Sequence, residues 1–263
     1  MYHKVDNSVK KYLLRLNRFE VTTAYPLLLN CYDLYENGKL NNQEFKSVLT
    51  ILENYLIRRF VCGIPTNQLT KIFSGIFSQL ASKEHQDFVE QFKIGLQSKG
   101  YPKDTEFKIK FKEARLYGSG DRGIKTKLIL EALEENYAHK EIVPFNDLTI
   151  EHIMPQTLTD SWKNHLGNNW EDIYDFYLHT VGNLTLTAYN SELSNDDFST
   201  KCNTLKESHL EINRYFQNCL NWSKDEMLKR GEMLANIAVS IWSYFGNEST
   251  NSNDIGCDSN LMC

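Results

Sequence analysis

Glu151 and His152 stand side by side, followed by Ile153-Met154-Pro155 and, after a long gap, by Gly182-Asn183-Leu184-Thr185-Leu186 and Asn190. A carboxylate, an imidazole and two amides in that order are equipped to hydrolyse a phosphodiester. The reaction needs a base that deprotonates water and a cation that stabilises the departing oxygen. An imidazole titrates near neutral pH and suits the first task, whereas carboxylate and amide oxygens suit a hard ion such as Mg²⁺ or Mn²⁺. On this reading His152 is the general base and Glu151 and Asn190 are ligands of one divalent metal. Asn183 bonds the loop or the imidazole and fixes its orientation. Each residue alone means little: a His beside a Glu is usually a surface pair, Gly182-Asn183 a turn and Asn190 a helix cap. Their joint occurrence, at the spacing of a His-Asn-Asn type metal-dependent nuclease site, carries the weight.

Two strands and a helix must hold these residues. Leu148 to Ile153 has strand character and is ended by Pro155, and Asn183 to Thr187 alternates. Asn190 opens the helix that follows. Adjacent strand residues face opposite sides, so Glu151 and His152 share a site only where the strand ends or twists. Between the strands runs the connection Gln156 to Thr180, with a helix expected from Trp170 to Leu178. A connection of that length inside a compact domain is more often functional than decorative.

The chain before Pro144 reads as helices. Asn41 with Glu44 forms a capping box ahead of the stripe Phe45, Val48, Leu49, Leu52, Tyr55 and Leu56. Thr66 is a candidate cap for the stripe Leu69 to Leu80. Further helices are expected around Leu13 to Phe19, Tyr25 to Tyr35, Phe88 to Leu96, Phe107 to Arg115 and Leu128 to Glu135. The fold class is therefore mainly α. A helical domain over 1–143 precedes an α+β domain over 144–246, which has a small ββα-metal core and C-terminal helices from Met227 to Trp242. A tail over 247–263, rich in Ser and Asn, is expected to be disordered.

The net charge of −5 excludes a basic nucleic-acid coat. It leaves room for a local basic face, for which Lys103 to Lys127, with eight Lys/Arg against four Asp/Glu, is the best candidate. The six cysteines contain no Cys-x-x-Cys, so no structural zinc is expected and the thiols should be free and mostly buried. No stretch approaches a membrane span, and Met1 to Lys11 lacks the apolar run of a signal peptide, so a cytoplasmic location is expected. Lys201 and Asn195 are weaker candidates, for a phosphate contact and for support of the metal loop or substrate. His165 and His179 read as packed or exposed side chains, and the four tryptophans as core, although Trp162 and Trp170 lie in the long connection, where they could touch substrate.

Thr149 to Thr157 and Leu178 to Asn195, continued by Phe198 and Lys201, resemble the C-terminal His-Me finger domain of GmrSD-type restriction endonucleases. Arg58-Arg59-Phe60-Val61-Cys62-Gly63-Ile64-Pro65-Thr66-Asn67 resembles the helical region that precedes it. The resemblance implies metal-dependent cleavage of DNA, often modified or phage DNA, in bacterial defence. Family members usually begin with a ParB-like, nucleotide-hydrolysing domain bearing a Gln-Gln-Arg-type signature. That signature is absent here, as is any Gly-rich phosphate loop, so a separate chain supplying the domain is an expected partner beside DNA. The rival expectation is a non-catalytic helical module that binds DNA or a protein.

Overall fold

The structure is a computed structural model that describes residues 6–81, 87–138 and 144–246. Its first element, α1 (Asn7–Arg18), packs on α3 (Asn42–Val61), and α2 (Tyr25–Glu36) lies against the same helix. The capping box forms as expected: the Asn41 side chain accepts from Glu44 N at 2.9 Å, and Glu44 accepts from Asn41 N at 2.8 Å. The α3 helix is then buried on nearly all sides, charged residues included. Next come α4 (Leu69–Ala81), α5 (Phe88–Gln97), α6 (Asp104–Glu113) and α7 (Arg122–Glu135). The α4 helix starts three residues after Thr66, whose carbonyl, not its hydroxyl, receives Leu69 N at 3.0 Å. The stretch Phe107 to Phe111 is helical, as expected, and Phe107 and Phe111, four apart, enter the core together.

The adjacent arginines of α3 clamp this bundle. Arg58 donates to the carbonyls of Trp242 (2.7 Å) and Pro102 (2.9 Å) and pairs with Asp104. Arg59 donates to the carbonyls of Lys99 (2.8 Å), Gly100 (3.0 Å) and Pro65 (2.7 Å). Carbonyls at and just beyond helix ends lack intrahelical partners. Two guanidiniums satisfy five of them and lock the α5–α6 connection to α3 and to the end of the last helix.

The sheet has two strands, β1 (Thr149–His152) and β2 (Leu184–Thr187), paired antiparallel with Glu151 opposite Thr185 and His152 opposite Leu184. The second strand starts one residue later than expected, because Val181–Asn183 closes a 3-10 turn. Its four residues are all buried despite their alternation: α7 touches the sheet, and a 3-10 helix over Glu211–Asn218 also packs on β2. The connection between the strands carries α8 (Asp160–Leu166), not foreseen from the sequence, and α9 (Trp170–Tyr177), which was. Thr159 caps the former by accepting from Trp162 N. After β2 come the short α10 (Asn190–Leu193), α11 (Phe198–Lys206) and α12 (Lys224–Ile241).

The last helix unites the molecule. It packs on α6, α7 and the 3-10 turn at Gly182. A Cβ on Gly182 would lie 2.2 Å from the Met227 carbonyl oxygen, so only glycine permits this approach. Buried Arg230 reaches the carbonyls of Gly182 (2.9 Å) and Leu184 (2.6 Å) from α12. One apolar cluster runs from Val9 through α3, α7 and the sheet to Trp242, drawing on both sides of residues 143 and 144. A second gathers Ile153, Met154, Trp162, Phe198, Phe216 and Trp222 around the strand connection. The expected tail over 247–263 lies outside the described residues. No helix among the described residues is long and apolar enough to cross a membrane.

Candidate active site

The end of β1 presents His152 on one side and Glu151 on the other, as strand alternation requires. His152 is 4% exposed, and its Nε2 lies 3.0 Å from Nδ1 of His179. The Tyr117 ring stands edge-on to it at 4.7 Å and leans over His179 at 5.6 Å. Burial first, then the charges of His179 and Lys201, push the His152 imidazolium down to about 3. Burial and the nearby Arg115 also lower His179. Both rings are therefore neutral at physiological pH. His152 Nδ1 has no hydrogen-bond partner among the described residues, so a lone pair or a proton there is unspent.

Glu151 enters the opposite face, where its carboxylate accepts from Lys201 Nζ of α11. The same ammonium donates to the His152 carbonyl at 2.9 Å. Lys201 is fully buried, so it does not contact a phosphate at the surface as the sequence reading allowed; the strand's carboxylate draws it into the core. Burial opposes both charges, raising Glu151 and lowering Lys201, while each stabilises the other.

Asn183 is buried and fully bonded. Its Oδ1 accepts from Met154 N (2.7 Å) and Trp222 Nε1 (3.0 Å), and its Nδ2 donates to the carbonyls of Met154 and Leu178, both at 2.9 Å. It holds the loop after His152 and does not touch the imidazole. Asn190 lies at the start of α10 and donates to Thr149 Oγ1 and the Ile150 carbonyl, each at 3.1 Å, tying the helix to β1. Asn195 is exposed in the turn before α11. The structure thus gathers His152, Asn183 and Asn190 around β1 but turns Glu151 away from the imidazole.

The fit to a divalent ion follows from this placement. Glu151 and the His152 carbonyl already hold one cation, the Lys201 ammonium. Among the described residues no group of three or more His, Cys, Asp or Glu side chains could hold a metal. With Lys201 in place, Glu151 and Asn190 do not fit such an ion.

The basic stretch over Lys103 to Lys127 is mostly neutralised. Lys108 and Lys112 share Glu232 at 2.5 and 2.7 Å, Lys125 pairs with Asp121, and Lys127 lies 3.9 Å from Glu131. Lys103 and Arg115 are exposed and make no ion pair among the described residues. Trp162, Trp222 and Trp242 are core, whereas Trp170 is half-buried beneath Lys163. The four described cysteines are free.

Residues 101–237, just over half of the chain, match the family model of the GmrSD restriction endonucleases, C-terminal domain. The chain belongs to this family. No curated protein gives a significant match. The GmrSD match begins ahead of α6 and ends within α12, so it contains both strands, His152, His179, Asn183, Asn190 and Lys201. Helices α1 to α5, with the Arg58-Arg59 clamp, precede it.

Two partners of the site were not assigned to it from the sequence. His179 reads there as a packed or exposed side chain, and the antiparallel pairing of His152 with Leu184 shows why residues just before β2 lie near the histidine. Tyr117 gave no hint, because its approach depends on how the α6–α7 connection folds over the strands.

Proposed function

We propose that this GmrSD-type domain is a metal-dependent DNA endonuclease of a bacterial restriction system, with His152 as general base. The observation that supports it most is a neutral imidazole at the end of β1 with Nδ1 uncommitted. A water on that atom gives up its proton as its oxygen attacks phosphorus, and the bond from phosphorus to the 3′ oxygen breaks. The depressed proton affinity belongs to the enclosed ring without substrate. A phosphate beside it favours the charged form and makes it a stronger base. The family and the chemistry of the reaction favour Mg²⁺ or Mn²⁺, with Glu151 and Asn190 as the ligands expected from the sequence. Lys201 holds the Glu151 carboxylate, which in this arrangement is not free to bind the ion.

That same ion pair favours a second reading, a DNA-binding module that needs a further domain to cleave. Incubating the purified chain with supercoiled plasmid in Mg²⁺, Mn²⁺ or EDTA separates the two. Nicking with metal and none with EDTA supports the nuclease. Retardation of the plasmid without nicking in any metal supports the module.

A further inference from the structure

We propose that His179 is a positioning residue for His152, holding it in the tautomer whose Nδ1 is free to take a proton from water. The inference deepens the proposed nuclease reading and rests on it for its consequence in catalysis, but its structural content stands separately.

Two imidazole nitrogens 3.0 Å apart form a hydrogen bond only if one carries the proton and the other does not. If His152 Nε2 donates, its Nδ1 keeps a lone pair and the ring can act as a base. If His179 Nδ1 donates, His152 carries its proton on Nδ1 and cannot. The second arrangement puts both rings in the Nδ1–H form, the less stable tautomer of a neutral histidine, whereas the first puts both in the Nε2–H form. The first leaves only a lone pair, ready for water, and places the proton of His179 on Nε2 of a half-buried ring.

His179 is itself fixed. Its carbonyl accepts from Leu116 N at 3.0 Å, and the Leu116 carbonyl in turn accepts from Thr126 Oγ1 of α7 at 2.7 Å. Arg122 of the same helix donates to the Arg115 carbonyl at 2.8 Å. The Tyr117 ring then closes over both imidazoles. A side chain anchored to α7 through this segment holds the hydrogen bond in one geometry, the usual task of a partner behind a functional histidine.

Long-range ¹H–¹⁵N correlation spectra of histidine-labelled protein read the tautomer directly. The expected result is His152 protonated on Nε2 in the wild type and a mixture of tautomers in His179→Ala. Cleavage by His179→Ala should fall about 10- to 100-fold in kcat with KM little changed. His179→Asn, whose amide oxygen can replace Nδ1 as acceptor, should recover most of that loss. A wild-type His152 protonated on Nδ1, an unchanged tautomer in His179→Ala, or wild-type kcat in that variant would each overturn the proposal. If the wild type cleaves nothing with any metal, the nuclease reading fails, while the spectra still decide whether His179 sets the tautomer.

Discussion

At the scale of single residues, the candidate site is governed by burial. His152 has a folded pKa of about 3, below its value near 6.5 in an unfolded chain. The unfolded state therefore binds a proton that the folded state does not. The stability this confers is complete above about pH 6.5 and is lost as pH falls toward 3, by up to about 1.4 kcal/mol per unit. Thermal melts across that range should show a steeper acid loss in the wild type than in His152→Asn. Parallel losses would contradict a depressed pKa. The Glu151–Lys201 pair obeys a related rule. Removing one partner of a buried pair costs about 3–5 kcal/mol, because a charge is left alone in the core. Lys201→Met should therefore lower Tm sharply, and adding Glu151→Gln should restore much of the loss. A lysine serving only a phosphate at the surface would give a small change in Tm and no such recovery.

At the scale of elements, two four-residue strands pair through their backbones and are tied to the flanking loop and helix by side chains. Asn183 joins the 3-10 turn before β2 to the loop after β1 and to Trp222, with all four of its hydrogen bonds made. Asn183→Ala leaves buried donors and acceptors unpaired, so a loss on the order of 3 kcal/mol is expected by denaturant titration. A change below about 0.5 kcal/mol would show that the loop stands without it. Much of the local structure was legible in the sequence. The Asn41–Glu44 box, the arrest of β1 before Pro155 and the helix starting at Asn190 each depend on neighbours within a few residues. The partner of Glu151 was not legible, because Lys201 lies fifty residues away and only the tertiary fold brings its side chain to the strand. Nor was α8, a seven-residue helix whose cap and buried Trp162 make sense only once the second apolar cluster is assembled.

At the scale of the whole molecule, the helical region and the GmrSD-type domain share a continuous apolar cluster through α12. Sequence patterning placed the helices but could not show this sharing, which depends on Gly182 admitting α12 to the turn before β2 and on carbonyl clamps by Arg58 and Arg230. Nor could composition distinguish a basic face from a paired one. Five of the eight cations between Lys103 and Lys127 are spent on Glu232, Asp121, Glu131 and Glu113, while Arg115 stays exposed on the segment that carries Tyr117. DNA affinity should therefore depend on few cations from this stretch. Each phosphate contact contributes about 1 to the slope of log affinity against log salt. Replacing Lys103 and Arg115 by Gln should weaken DNA binding and flatten that slope by about 2 in a salt titration, whereas an unchanged slope would place the DNA elsewhere.

The most direct test of the account is the rate at which His152→Ala nicks supercoiled plasmid, compared with the wild type in Mn²⁺ or Mg²⁺, after melts have shown both to be folded. Loss of a general base predicts a fall of about 10²- to 10⁴-fold with DNA binding retained. A folded His152→Ala protein that cleaves at the wild-type rate would contradict the assignment of His152 as the base.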